Sequence, residues 1–453
     1  MEQQKEKEFV AVKGTEGLFS DFDSVAKKVF YVSVIGLGYV GLPLAILCEE
    51  KGYKVSGVDN DAAKAEKLKK RIAPYLNKAE SELFKKSGIS IYTEDFAIAD
   101  SDVIIVCVPT PVYEDHSPNL EPLISAAEMI GKNLRRGQLV VIESTVNPGV
   151  CDEVVLPILE SRSGLKAGAD FFFAHCPERI NPGDEKFSVR TIPRVIGAND
   201  EESLARAKSF YESILDAKVF PMRSLKEAEA VKIVENSFRD INIAFVNELA
   251  MSFDRLGIDL MNVIAGASTK PFSFMAHFPG CGVGGHCIPV DPYYLISYAK
   301  KNGFTHKFLS LAREINNSMP IYTVDALVDL LRPKNGDLSG VPIALLGLSY
   351  KRDVPDIRES PAMVILAELA KRGASVRTFD PFITDRSTAK SLDEALTGAM
   401  AVIVATDHSV FRSALTPELF RRKKIAAVVD GRNFLPKEEF VAAGIRFRGI
   451  GRR

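Results

Sequence analysis

At 453 residues the chain is long enough for two or three domains of the usual ~100–200 residues, each with its own core. Hydrophobic residues at 46% and charged residues at 26% exclude a disordered or fibrous protein. Lys plus Arg number 58 against 59 Asp plus Glu, a formal charge of −1, so no basic field exists to hold nucleic acid or an anionic membrane, and neither is expected as a partner.

The leader, residues 1–29, is polar, and Met1 to Phe9 lacks the apolar core of a signal peptide. No run approaches the ~18 apolar residues of a membrane span. Six cysteines (48, 107, 151, 176, 281 and 287) are too sparse for a disulfide framework, which points to a reducing cytoplasm.

Phe30 to Ile35 reads as a buried strand ending at Gly36, Leu42 to Lys51 as a helix and Lys54 to Val58 as a strand ending at Asp59. Val103–Val108, Leu139–Ile142 and Asp170–Ala174 read as further strands with polar residues at their ends. Alternating strands and helices imply a parallel sheet, with ligands at its carboxyl edge. From Leu225 to Leu256 the pattern becomes one long helix, with Ala228, Val231, Val234, Phe238, Ile241, Phe245, Leu249 and Phe253 spaced by three and four. Ser268 to Pro292 is a loop rich in Gly, Pro and aromatic residues. Val341–Leu346, Ser375–Phe379, Ala401–Ala405 and Ala426–Val429 then repeat the strand theme around a helix at Ser360–Arg372. The expected fold is α/β, with two Rossmann-like doubly wound domains over 30–222 and 333–453 joined by a central helical domain over 223–332.

Gly36, Gly38 and Gly41 form GLGYVG between a strand and a helix, and Asp59 ends the next strand 23 residues after the first glycine. The glycines let backbone amides approach a pyrophosphate at the helix N-terminus. Asp59 would accept a hydrogen bond from a ribose hydroxyl and repel a 2′-phosphate, favouring NAD over NADP. Lys232 and Asn236 share a helix face and together suit an alcohol or a developing oxyanion. On a helix that also carries Glu229, Glu235, Arg239 and Asp240, the pair taken alone reads first as part of a solvated face.

The loop GCGVGGHCIPVD, 280–291, sets Cys287 behind four glycines and four residues before Asp291. A nucleophilic thiol needs a cation or base nearby, and Lys232 is a candidate. The alternatives are a small buried hydrophobe, which suits Cys48 and Cys107, or a zinc site drawn from His175, Cys176, Cys281, His286 and Cys287; no CxxC pairing supports the latter, and no metal is expected. SYKRDVPDIRES, 349–360, gathers Lys351, Arg352 and Arg358 at a helix entry, either an anion site fit for a mononucleotide diphosphate or a solvated basic turn.

In this order, VIGLGYVGLPLA, CVPTP, EST, HCPERINPG, KIVENSFRDINIAFVNE, GGHCIPVDPYYL and YKRDVPDIRES resemble the UDP-sugar 6-dehydrogenase family from Val32 to Asn433. The resemblance implies an NAD-dependent oxidation of a sugar C6 alcohol to a carboxylate, of the kind that feeds a polysaccharide. Cys287 would capture the aldehyde as a thiohemiacetal and pass through a thioester, Lys232 and Asn236 would hold the C6 oxygen, Asp291 and Thr145 would organise water, and Glu178 would be a further carboxylate. NAD would meet Gly36, Gly38, Tyr39, Val40, Gly41, Asp59, Lys64, Thr110, Thr145 and Arg358. The UDP-sugar would meet Glu178, Arg179, Lys232, Asn236, Gly284 and, from the second Rossmann-like domain, Lys351.

The UDP-glucose branch has a glutamate where this chain has Pro182, and an arginine before the glycine loop that Ala265–Gly280 lacks. The segments STKPFSFM and GGHCIPVDPYYL look more like the branch acting on UDP-N-acetylhexosamines, so UDP-N-acetylglucosamine is expected first, UDP-N-acetylmannosamine next and UDP-glucose third. The rival readings are a single-step β-hydroxyacid-type dehydrogenase, which has no use for Cys287, and a non-catalytic nucleotide-sugar binding protein. The long helix carries more apolar surface than one face needs, which favours a homodimer packed through it.

Overall fold

The computed structural model describes residues 30–95, 97–113, 115, 117–179, 188–332 and 337–453. The leader, Pro182 and residues 333–336 of the second boundary lie outside them.

Short apolar runs make the strands of a mostly parallel sheet: β1 (Tyr31–Ile35), β2 (Lys54–Val58), β3 (Ser90–Tyr92), β4 (Val103–Val106), β5 (Leu139–Ile142), β6 (Phe172–His175), β7 (Arg194–Ala198) and β8 (Val219–Pro221), of which β4, β5 and β6 are buried on both faces while the edge strands β3 and β8 are partly exposed. Their order is β3-β2-β1-β4-β5-β6-β7-β8, the dinucleotide-binding order in its first six, with β6 and β7 antiparallel. Register aligns the strand ends. Ile35 lies opposite Val58 and Val106, Val106 opposite Ile142, and Ile142 opposite His175. Gly36, Asp59, Cys107, Glu143 and Cys176 therefore leave the sheet at one edge.

The second sheet, β9 (Pro342–Leu346), β10 (Ser375–Phe379), β11 (Ala401–Val404), β12 (Ala427–Asp430) and β13 (Arg446–Gly449), is wholly parallel in the order β10-β9-β11-β12-β13. Its first turn repeats that of the first sheet. The Gly36 amide donates to Val58 O and the Leu37 amide to the Asp59 carboxylate, as the Gly347 amide does to Phe379 O and the Leu348 amide to the Asp380 carboxylate.

Between the sheets runs the spine helix, Leu225–Leu256, capped by the Ser224 hydroxyl at its start and by left-handed Gly257 at its end. A second long helix, Lys307–Leu331, packs along it despite an internal proline, Pro320. Sequence periodicity did not single that helix out, nor β3, β7, β8 and β13. The apolar stripe read on the spine is only partly a core face, because Val234, Phe238 and Phe245 are exposed at 49–56%. Among the described residues no helix is long and apolar enough to cross a membrane.

Candidate active site

The glycine turn divides its labour. Gly36 has φ +89°, and a Cβ there would lie 2.7 Å from Cys107 O; one on Gly41 would lie 2.0 Å from Gly36 O. Around Gly38 a Cβ would meet nothing within 4 Å. The helix that follows, Gly41–Glu50, has no side-chain cap and no acidic residue in its first turn, so its amides and dipole face an open approach. A dinucleotide pyrophosphate fits this cradle. Asp59 is buried at the end of β2, accepts from the Leu37 and Asp61 amides at 2.9 and 3.1 Å, and pairs with Lys64 at 2.5 Å. Tyr39 packs on Tyr75 with ring centroids 5.2 Å apart.

Thr110 follows β4 and Thr145 follows β5, and the Thr110 hydroxyl donates to Thr145 O at 2.6 Å. The Tyr294 hydroxyl in turn donates to Thr110 O. Since Tyr294 belongs to the helix Asp291–Lys301, this contact ties the cofactor edge to the cysteine loop.

Cys287 occupies the turn that starts that helix, its carbonyl accepting from the Val290 and Asp291 amides. Burial pushes its thiol up to about 12; Asp291 and Glu178 push the same way, while Lys232 and Arg358 oppose. Asp291 is buried, accepts from Asn236 Nδ2 at 2.5 Å and is raised to about 7, mainly by burial, with Lys232 and Asn236 pulling it down. Lys232 Nζ lies 3.8 Å from Glu178 Oε2, and burial likewise raises the Glu178 carboxyl. The other Glu178 oxygen is buried without a hydrogen-bond partner in the chain. Cys287, Lys232, Asn236, Asp291 and Glu178 thus form one enclosed set of a thiol, a cation, an amide and two carboxylates.

This corrects the reading of the spine as a solvated face. Glu229, Lys232 and Asp240 are buried, because the sheet end and the second long helix cover that side. Arg179 is held by Glu235 and by Pro193 O. Gly284 faces packing, since a Cβ there would lie 2.7 Å from Glu359 O and Tyr350 Cβ. The Gly285 amide donates to Arg358 O at 3.0 Å, so the second sheet's loop grips the cysteine loop, while the Arg358 side chain pairs with Asp356. Lys351 lines a cleft of about 480 Å³ with Tyr350, Arg352, Asp407 and Arg432.

Sequence reasoning missed the support beneath Glu178. Arg194, fully buried on β7, pairs with Glu143 at 3.2 Å and reaches Pro177 O; Tyr211 donates to Glu143 at 2.5 Å; and the Glu178 amide donates to Glu143 O at 3.3 Å. It also missed Glu229, whose carboxylate accepts the Gly149 and Cys151 amides just beyond Thr145. Among the described residues no cluster of three or more His, Cys, Asp or Glu is grouped to hold a metal ion.

Residues 30–215 match the NAD binding domain of the UDP-glucose/GDP-mannose dehydrogenase family, 226–318 its central domain and 344–437 its UDP binding domain. A UDP-N-acetyl-D-mannosamine dehydrogenase of Pyrococcus horikoshii is 36% identical over 93% of this chain and 99% of its own. A UDP-N-acetyl-D-glucosamine 6-dehydrogenase of Pseudomonas aeruginosa is 37% identical over 91% and 98%. The solved structure of the Pyrococcus horikoshii UDP-D-ManNAc dehydrogenase superposes with a TM-score of 0.86 at 36% identity, covering 93% of this chain and 99% of that one. That of a UDP-glucose dehydrogenase from Pyrobaculum islandicum does so at 0.82 and 26% identity, covering 95% and 100%.

Fold and comparisons together define a pyridine-nucleotide oxidoreductase with a separate nucleotide-binding domain for its substrate. The chain belongs to the UDP-glucose/GDP-mannose dehydrogenase family and is an NAD-dependent UDP-sugar dehydrogenase.

Proposed function

We propose that the enzyme oxidises the C6 alcohol of a UDP-N-acetylhexosamine to the uronic acid in two oxidation steps, with Cys287 as covalent anchor. UDP-N-acetylglucosamine is the preferred substrate, UDP-N-acetylmannosamine the next and UDP-glucose the third. The observation that carries the reading is the enclosed set around Cys287, in which Lys232 lies 3.8 Å from Glu178 and Asn236 2.5 Å from Asp291. A one-step alcohol dehydrogenase has no use for a thiol so placed.

Residues 36–41, Asp59, Lys64, Thr110, Thr145 and Arg358 hold NAD, which supplies the hydride acceptor. Lys232 and Asn236 hold the C6 oxygen, and the alcohol proton leaves through water ordered by Asp291 and Thr145. The Cys287 sulfur then adds to the aldehyde carbon as its proton passes to Asp291, giving a thiohemiacetal oxyanion, held by Lys232 and Asn236, that cannot diffuse away. Oxidation of that adduct gives a thioester. Water aligned by Asp291 and Glu178 cleaves its C–S bond, and the thiol regains its proton. In balance, one alcohol, two NAD⁺ and one water yield one carboxylate, two NADH and three protons. Glu178, Arg179, Gly284 and Lys351 complete the UDP-sugar site in this account.

The proposal includes a homodimer packed through the spine and a cytoplasmic location, the latter supported by six free cysteines. To test substrate choice, the purified enzyme is given NAD with each of the three UDP-sugars in parallel and kcat/KM is compared. The highest value for UDP-N-acetylglucosamine is expected; a higher value for UDP-glucose would overturn the branch assignment.

A further inference from the structure

Four buried polar side chains on the two long helices form a single hydrogen-bonded chain that ends on the cysteine loop. Asp240, on the spine, accepts from Arg313 Nη1 and, at 2.8 Å, from Asn316 Nδ2, both on the second long helix. Asn316 Oδ1 accepts from Asn247 Nδ2 at 2.9 Å, and Asn247 Oδ1 accepts from the Gly280 amide at 3.0 Å. All four side chains belong to residues no more than 3% exposed.

The polarity of this chain is set at one end. An ionised carboxylate only accepts, so Asn316 must turn its NH₂ to Asp240 and its oxygen to Asn247. Asn247 must then offer NH₂ to Asn316, which leaves its oxygen for Gly280. The same helix face meets the far end of the loop, where Asn317 Nδ2 donates to Tyr293 Oη at 3.4 Å and the Arg313 guanidinium lies 5.9 Å from the Tyr293 ring. Gly280 opens the loop and Tyr293 follows Asp291 by two residues, so both ends of the segment bearing Cys287 rest on one network.

We propose that Asp240, Arg313, Asn316 and Asn247 are positioning residues that hold the cysteine loop where Cys287 faces Lys232 and Asp291. This rests on Cys287 being the nucleophile of the proposed reaction. Asp240 Oδ2 and Arg313 Nε are buried without a hydrogen-bond partner in the chain, but the links from helix to loop through Asn316 and Asn247 specify one arrangement, and removing Asn247 strands the buried Gly280 N–H.

Asn247→Ala and Asn247→Asp in the full-length enzyme test it, through steady-state kinetics and peptide-resolved alkylation of the six cysteines with iodoacetamide at pH 8. Asn247→Ala is expected to lower kcat roughly tenfold or more while leaving the NAD KM within about twofold, because misplacing a nucleophile by about 1 Å costs rate rather than cofactor binding. Labelling of Cys287 should accelerate as its thiol loses its enclosure, while Cys48, Cys107, Cys151 and Cys176 stay protected. An aspartic acid kept neutral by burial still donates to Asn316 and accepts from Gly280, so Asn247→Asp should restore most of kcat and of the protection. Wild-type kcat and labelling in Asn247→Ala would overturn the proposal, as would uniform labelling of all the cysteines, the mark of general unfolding. Labelling needs no turnover. A wild-type enzyme inactive on every UDP-sugar would therefore refute the reaction while leaving this comparison to be decided by itself.

Discussion

Burial keeps Cys287 protonated at neutral pH, its thiol pushed up to about 12, so the proposed nucleophile is made only when a neighbour accepts its proton. Asp291, raised to about 7 beside it, is matched to that task. Two outcomes follow at this scale. Cys287→Ser cannot form the thioester, so NADH should fall from two to about one per sugar, with free aldehyde trapped by semicarbazide; acid formation at the wild-type rate would contradict the role. The rate kcat/KM should rise with pH through about 7 as Asp291 ionises, a limb missing from Asp291→Asn. The same group bears on stability with opposite sign. Its folded value lies above the unfolded value of about 3.9, so the folded state holds the extra proton between about 4 and 7, and its contribution, full below about 4, is lost as pH rises through about 7. Urea denaturation at pH 5 and pH 8 should show wild type losing more stability than Asp291→Asn across that interval.

At the scale of elements, what the sequence made legible was local. β2, β5, β10 and the spine helix keep the bounds read from residue pattern, because β-branched runs stop at Asp, Glu or Gly and the helix begins at Ser224 and ends before Gly257. The glycine turn and the cysteine loop were readable for the same reason, since each needs particular residues in short succession. What escaped depends on pairs far apart in the chain. Arg194 and Glu143 are 51 positions apart, and nothing near either residue announces the other. Pro320 reads as a helix breaker, yet Lys307–Leu331 carries through it. The spine's charges read as solvated because the strand end and helix that bury Glu229, Lys232 and Asp240 lie elsewhere in sequence. Arg194→Ala would remove the buried guanidinium that pairs with Glu143 in the core, at a cost of about 3–5 kcal/mol. Chemical denaturation measures that loss, and a change below about 1 kcal/mol would show that the pair bears little weight.

At the scale of the whole molecule, the cysteine loop joins the two sheets. Cys281 donates its amide to Gly431 O and Gly285 donates to Arg358 O, while Tyr294, just past the loop, reaches Thr110 at the first sheet. One loop therefore meets the NAD-binding and UDP-binding domains together, which is where a sugar must lie if its diphosphate is held by one and its C6 faces the other. Val234, Phe238 and Phe245 remain exposed along the spine, with Phe308 and Leu311 on the second long helix, and such apolar surface calls for a partner. Light scattering should give twice the chain mass of 49.7 kDa, and a monomer would refute packing through the spine. The central claim is that one site performs both oxidations on a substrate tethered to Cys287. Counting NADH formed per UDP-sugar consumed, with the preferred sugar limiting, tests it most directly: two NADH per sugar is the result predicted, and one NADH per sugar, with the aldehyde as product, would contradict it.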